Sequence, residues 1–287
     1  LSNDVICTIS KLTDDIVRTV TPEVECHYVP HAIKTDTFKK LSPEIKEKLQ
    51  RDNFPDWDHE KFIFFWNSRN ARRKMSSSII WWFKDFLDEV GHDKAMLLMH
   101  TDPYDENGPN LQAIVEELGL LDGQVLFSRQ KVAPHVLAAM YNMAACTINV
   151  SDAEGFGLSV LESLACGTPV IATMTGGLQD QITDGIEYFG VGLQPASKAV
   201  IGSQQVPFIY EDRICKKDFI DALHKMYSAT KEEREAIGQR AIQHVMNHFT
   251  WEGYSERWVE IMTKVHNKYG SWKTRKNYKS WTFKEVA

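Results

Sequence analysis

The sequence contains no run of eighteen apolar residues, so no stretch of its 287 residues reads as a membrane-spanning helix. Nothing at its start reads as a secretory signal. The chain begins at Leu1 rather than Met, and we expect it to be a fragment or the ordered part of a longer protein. The five cysteines (Cys7, Cys26, Cys146, Cys166 and Cys215) include no C-x-x-C pair. Their odd number and spacing offer neither a disulfide frame nor a zinc set. Cys7 and Cys146 sit in apolar, strand-like runs, so the expectation is buried thiols in a reducing, cytoplasmic compartment. Positive charge is not in excess either. With 33 Lys and Arg against 39 Asp and Glu, the formal charge is −6, which argues against general nucleic-acid binding. No G-x-G-x-x-G follows the first core strand, which disfavours a nicotinamide dehydrogenase. No D-x-D pair stands at a strand end to carry a metal.

What is present is a soluble, globular composition, 43% hydrophobic and 25% charged, long enough for one large or two medium domains. Val5–Ile9 and Cys26–Val29 read as strands around a helix that Ser10 or Thr13 can cap. Two strands and one helix cannot bury a core alone. The span 35–60, charged and punctuated by Pro43 and Pro55, reads as a connection with one helical stretch, Glu44–Arg51. From Lys61 the texture changes. Strand-like runs at Phe62–Trp66, Ala95–Met99, Gln124–Phe127 and Cys146–Val150 alternate with helical stretches reaching Val90, Leu118 and Tyr141. Continuous apolar strands alternating with helices mean a parallel sheet covered on both faces, a Rossmann-like α/β domain over 61–266. The chemistry-bearing residues then fall at one rim, the carboxyl ends of the strands, where open α/β sheets bind ligands. They are Asn67–Lys74, Thr101–Tyr104, Ser128–Lys131, Ser151–Leu158 and Thr173–Gly177. Residues 186–210 read as strands Phe189–Leu193 and Pro207–Tyr210 around a Ser/Gly/Gln insertion. Helices Cys215–Tyr227, Lys231–His248 and Glu252–Val265 follow.

The most informative stretch is Ser151–Thr173, SDAEGFGLSVLESLACGTPVIAT. Gly155-Phe156-Gly157 frees the backbone to turn sharply and approach a ligand. Leu158, Leu161, Leu164 and Ala165 then recur at helical spacing, and Gly167-Thr168-Pro169 ends the helix. A glycine loop feeding a helix N-terminus presents unpaired N–H groups and about half a positive charge to an anion. Glu154 and Glu162 sit awkwardly beside a phosphate, but as hydrogen-bond acceptors they suit the hydroxyls of a sugar or ribose. Phosphate on the backbone and hydroxyls on two carboxylates describe a sugar nucleotide. Spacing alone leaves an ordinary loop–helix–strand connection with two solvated glutamates equally open.

Glu154 and Glu162, with seven residues between them inside EGFGLSVLESLACGTPV, resemble the E-x7-E signature of retaining glycosyltransferases of family 4, which have the GT-B fold. The resemblance implies that this chain is mainly the C-terminal, donor-binding domain. Residues 1–34 would then end an otherwise missing N-terminal acceptor domain, because YVPHAIKTDTF resembles the family's closing turn, with His31-Ala32 in place of a polar-Gly pair. Arg69 and Lys74 resemble the G-R-x4-K pair whose cations hold the donor diphosphate, with Ser68 and Met75 standing where the family usually has glycine. Backbone groups at Phe156, Gly157 and Leu158 would assist them, Glu162 would bind the ribose, and Glu154 would act at the sugar. The loop at Ser128 and Arg129 would lie near the base, Arg129 either stacking on it or facing water. Arg72 and Arg73 read as surface or N-domain partners.

The reaction implied is retaining hexosyl transfer from a nucleotide-sugar, with a lean to GDP-mannose over UDP-sugars, to a glycan or lipid-linked acceptor. No metal and no cofactor beyond the co-substrate are expected. A same-fold epimerase and a non-catalytic sugar-nucleotide-binding module are the alternatives. The tail 267–287 is basic and aromatic, with Lys268, Tyr269, Trp272, Lys273, Arg275, Lys276, Tyr278, Lys279, Trp281 and Phe283. Its composition suits a membrane surface, but packing back on the N-terminal domain is favoured because four large aromatics would otherwise be exposed.

Overall fold

A computed structural model describes residues 3–54, 61–271 and 273–276. Its centre is one six-stranded, wholly parallel sheet built from β3 (Phe62–Asn67), β4 (Ala95–His100), β5 (Val125–Ser128), β6 (Cys146–Asn149), β7 (Val170–Thr173) and β8 (Gly190–Leu193), in the order β5-β4-β3-β6-β7-β8. The strands lack polar alternation because both faces are covered. Along β3 the side chains of Phe62, Phe64 and Trp66 enter one core and those of Ile63 and Phe65 the other. The first core lies under α3 (Ser76–Val90), α4 (Leu111–Glu117) and α8 (Lys216–Ser228); the second lies under α5 (Pro134–Met143), α6 (Leu158–Ala165) and α9 (Lys231–His248). This is the Rossmann-like sheet, with helices on both faces, that the alternating sequence predicts.

The strand order places the site. The chain runs outward from β3 through β4 to β5, crosses back, and runs outward again from β6 through β7 to β8. The crossover leaves β3 beside β6, paired at Phe64 with Cys146 and at Phe65 with Thr147. In open α/β sheets the ligand crevice lies outside the carboxyl ends of two such strands, at this switch point.

The N-terminal segment is a small unit in which β1 (Val5–Thr8) pairs in parallel with β2 (Glu25–Tyr28), joined by α1 (Lys11–Val20). It docks on the sheet domain through α7 (Leu178–Ile182), where Asp180 accepts hydrogen bonds from the Lys11 N–H at 2.8 Å and the Tyr28 hydroxyl at 3.2 Å. The last helix, α10 (Trp251–Tyr269), runs past β2, and Lys264 and Lys268 hold Glu25 at 2.8 and 3.0 Å. That pair of ammonium groups pushes the Glu25 carboxyl down to about 2. Beyond α10, Arg275 pairs with Asp4. Trp272, Tyr278, Lys279, Trp281 and Phe283 lie outside the described residues.

The insertion after β8 differs from the sequence expectation. Its hairpin pairs β9 (Ser197–Val200) with β10 (Tyr210–Arg213), and Pro207–Ile209 forms no strand. Pro207 has no N–H to give a ladder. The Ser-Lys-Ala-Val strand lies largely exposed, so it carries no apolar pattern that would mark it. Between α2 (Pro43–Asn53) and β3, residues 55–60 are not among those described.

Helix α6 is seated by a close backbone approach. A Cβ on Gly238 of α9 would lie 2.0 Å from the Gly167 carbonyl oxygen at the end of α6. Gly238→Ala is therefore expected to push the two helices apart and lower stability by about 1–3 kcal/mol. A urea midpoint unchanged from the parent would contradict this packing.

Candidate donor-nucleotide site

The loop after β3 turns through Ser68–Ala71 into a 3-10 turn at Arg72–Lys74 and enters α3 through Met75, at φ 52° and ψ 26°. Among the described residues, Met75 alone adopts positive φ without being glycine. Such a conformation costs of order 1 kcal/mol; here it lets the cations of the turn face the crevice while α3 starts immediately behind them. Buried Asn70 fixes the turn, donating to the Pro109 carbonyl at 2.7 Å and accepting from the Ser76 hydroxyl at 2.7 Å.

Across the crevice, the loop after β6 brings Glu154 against this turn. Lys74 forms an ion pair with the Glu154 carboxylate, and Arg73 lies 3.3 Å from the same oxygen while donating to the Ala153 carbonyl at 2.6 Å. The Asp152 N–H in turn donates to the Arg73 carbonyl at 2.8 Å. Lys74 is buried, at 9% exposure, and desolvation lowers its pKa, with Glu154 opposing that shift.

The structure sorts the three arginines of this loop. Arg73, read as a surface or N-domain partner, instead meets Glu154. Arg72 is also engaged, donating to both oxygens of Glu211 at 2.6 and 2.9 Å. Arg69 points the other way: its guanidinium pairs with Asp105 at 2.6 Å and is 64% exposed. Adjacent Arg72, Arg73 and Lys74 look alike in sequence, and only the tight turn sorts them.

The glycine loop is shaped by its neighbour. A Cβ on Gly176 would fall 1.7 Å from the Glu154 carbonyl oxygen, and one on Gly177 would lie 2.7 Å from that of Gly155. The Thr175–Gly177 turn thus lies directly against the loop that carries Glu154. Gly157, at φ 93°, starts α6. The N–H groups of Phe156, Gly157, Leu158 and Ser159 have no hydrogen-bond partner among the described residues. The Phe156 ring is buried, edge-on to His31 at 5.2 Å and Phe249 at 6.0 Å. The Leu158 side chain is exposed.

One turn into α6, the Glu162 carboxylate accepts from the Tyr141 hydroxyl at 2.7 Å, and that hydroxyl accepts from the Asn67 amide at 2.8 Å. Burial raises Glu162 to about 7 despite the tyrosine's hydrogen bond. Further along the rim, Ser128 at the end of β5 bonds to His100 at 2.9 Å. Arg129 lies over the Tyr104 ring, 5.4 Å from its centroid. Buried Thr101 Oγ1, Asp152 Oδ1 and Thr173 Oγ1 have no hydrogen-bond partner. All three belong to carboxyl ends of strands, where a polar ligand would satisfy them. Asp152 is raised to about 6 by burial, against the pull of Arg213 and Arg72. Among the described residues, no group of three His, Cys, Asp or Glu side chains is placed to hold a metal.

The site therefore gathers two cations, open helix N-terminal N–H groups and two carboxylates at the switch point. Such a set can hold a diphosphate on one side and hydroxyls on the other. Residues 50–244 match the family model described as glycosyl transferases group 1. A D-inositol 3-phosphate glycosyltransferase of Paenarthrobacter aurescens is 34% identical over 144 residues, covering 50% of this chain and 29% of the relative. An alpha-monoglucosyldiacylglycerol synthase of Streptococcus pneumoniae is 34% identical over 194 residues, covering 65% and 41%. The solved structure of Anabaena HepE in complex with UDP-glucose superposes with a TM-score of 0.68 at 15% identity, covering 91% of this chain and 64% of that one. The chain thus spans less than half the length of these two curated relatives, and its α/β sheet is the Rossmann-like sheet of GT-B enzymes. With the matching model covering well over half of its residues, the chain belongs to the glycosyl transferases group 1 family.

Proposed function

We propose that this chain is the donor-binding part of a retaining, family 4 hexosyltransferase that takes its sugar from a nucleotide-diphospho-sugar. The observation that carries the reading is the meeting of Lys74 and Arg73 with Glu154 in front of the open N–H groups of α6. The diphosphate lies on Lys74 and on the backbone of Phe156, Gly157 and Leu158, with Arg73 adjoining and Arg69 joining once it leaves Asp105. Glu162 accepts the ribose hydroxyls, and Ser128 and Arg129 flank the base. As the glycosidic bond breaks, its electrons pass to the diphosphate oxygen, whose growing charge the cations stabilise. That oxygen takes the acceptor's proton while the acceptor attacks the same face, so configuration is retained. Glu154 orients the sugar and stabilises positive charge developing at its anomeric carbon.

No metal is assigned a role, since fixed cations already face the phosphates. The donor base is guanine or uracil. The EGFGLSVLE stretch favours GDP-mannose, and the UDP-glucose found in HepE supports the uridine alternative. The acceptor is a glycan or a lipid-linked sugar. The diacylglycerol glycoside named for the S. pneumoniae relative supports the second. No helix among the described residues is long and apolar enough to cross a membrane.

Calorimetry with GDP-, UDP- and ADP-sugars tests the reading. One sugar nucleotide should bind, and Glu154→Ala should weaken the intact donor about tenfold or more while leaving the bare nucleoside diphosphate within about twofold. Equal losses on both ligands would remove Glu154 from the sugar. Failure of every donor to bind would remove the donor site itself. A donor that binds, with no transfer or hydrolysis even by the full-length protein, would point to the non-catalytic module.

A further inference from the structure

A cavity lies on the opposite edge of the sheet from the donor rim. It measures about 470 Å³, and its floor is Phe62-Ile63, Ala145 and Pro169, at the amino ends of β3, β6 and β7. A six-residue strand spans roughly 20 Å, so this cavity is separated from Lys74 and Glu154 by the thickness of the sheet along its strands. In a chain of net charge −6, its walls are strongly cationic. Lys40, Lys46 and Arg51 come from the connector and α2, and Lys231 and Arg234 from the first turn of α9, against Glu47 and Glu235. Lys61 also lines the cavity and has other interactions of its own.

The cations on the two walls oppose one another without pairing. Among the described residues, Lys40, Lys46 and Lys231 form no ion pair. The Arg234 guanidinium donates to the Ala229 carbonyl and stands over the Phe62 ring, 5.0 Å from its centroid. Burial, followed by repulsion from Arg234 and Lys231, pushes the Lys46 ammonium down to about 8, with Glu235 pulling weakly the other way. Desolvating Lys46 and Arg234 among an excess of positive charge is unfavourable. A multiply charged anion between the walls would offset the repulsion among these cations. Half the lining is apolar in character, with Ile63, Met143 and Pro43 present, so the cavity has room for a carbon body behind a phosphate.

We infer that this cavity is a second anion site, separate from the donor site, which takes the phosphate or diphosphate group of a small phosphorylated molecule or a phospholipid head and so ties α2 to α9. Binding there would hold the connector that leads from the N-terminal segment to β3 against the sheet domain.

The test is acetylation of the 287-residue chain by acetic anhydride near pH 8, with each lysine followed by mass spectrometry. Inorganic pyrophosphate, at ionic strength matched with sodium chloride, is expected to slow labelling of Lys46 and Lys231 at least fivefold. Protection should persist in Lys74→Ala, which separates this site from the donor rim, and should fall at least threefold in Arg234→Gln. Because Arg234 also contacts Ala229 and Phe62, the exposed-site variant Lys231→Gln is run beside it, read at Lys46, with the same weakening expected. Vesicles of phosphatidylglycerol, with phosphatidylcholine as control, run in parallel. Protection by pyrophosphate alone assigns a soluble phosphate, and protection by the anionic vesicles alone assigns a lipid head. The inference is overturned if neither protects at millimolar phosphate, if sodium chloride alone protects equally, or if Lys231→Gln leaves protection of Lys46 unchanged.

Discussion

Replacing Lys74 with alanine is expected to lower transfer by about 10²–10³-fold, with little change in the folded state. The size follows from the position of the ammonium. It is nearly buried and paired with Glu154, where in the proposed reaction the leaving diphosphate gains charge, and removing one such preorganised group in an enzyme typically has this effect. Its desolvation is already borne by the fold, as the lowered pKa shows, so it meets the developing charge without first shedding water. The fold should tolerate its loss because Glu154 keeps Arg73 at 3.3 Å. Lys74→Arg should rescue poorly, since the planar guanidinium is larger and its geometry is not that of an ammonium. Arg69→Ala is expected to lose only about tenfold, because its guanidinium is exposed and must leave Asp105 before it can help. Single-turnover rates with circular dichroism on each variant decide the matter. A Lys74→Ala enzyme within threefold of the parent would remove Lys74 from the chemistry.

The contrast between Lys74 and Arg73 marks what could be read from the chain alone. The strands of the central sheet were legible because they are short, mainly apolar runs: a sheet covered on both faces leaves no polar alternation to confuse with a surface strand. The loop and helix of Ser151–Thr173 were legible because glycine, helix periodicity and a Gly-Thr-Pro stop are local signals, and the structure sets all three within a few residues of their expected places. The role of Arg73 was not, because it depends on a 3-10 turn closed by a left-handed methionine, and nothing in R-R-K-M announces which side chain faces inward. The Asn67–Tyr141–Glu162 chain was equally hidden. Its members are separated by 74 and 21 positions, and Tyr141 reads as one more apolar residue of its helix until the fold brings it beneath α6. The far-side cavity combines a charged connector with the start of α9, two segments that look only solvated in sequence.

Glu162→Gln is expected to make the unliganded protein more stable at neutral pH and the donor complex weaker. In the folded chain the carboxyl is raised to about 7 by burial, from an ordinary value of 4.5. Below about pH 4.5 it is protonated in both states and contributes no penalty. Between pH 4.5 and 7 the unfolded chain ionises while the folded chain does not, so stability falls as pH rises through that window. At about 1.4 kcal/mol per pH unit the full penalty, reached above pH 7, is roughly 3 kcal/mol. Glutamine keeps the shape and the acceptor for Tyr141 without the charge, so urea unfolding at pH 8 should show a gain of up to that amount, shrinking toward zero near pH 4.5. Ribose hydroxyls reward the ionised form, so donor affinity in the parent should rise as pH climbs from 5 to 7, with a proton released on binding. Glu162→Gln should bind weakly and without that pH dependence. Tyr141→Phe, which strips the carboxylate of its one side-chain donor, should move the midpoint of the dependence to higher pH. Calorimetry in two buffers of different ionisation enthalpy reads the proton directly. A parent that releases none, or a glutamine variant less stable than the parent at pH 8, would mean that Glu162 is not the buried acceptor of the donor's ribose.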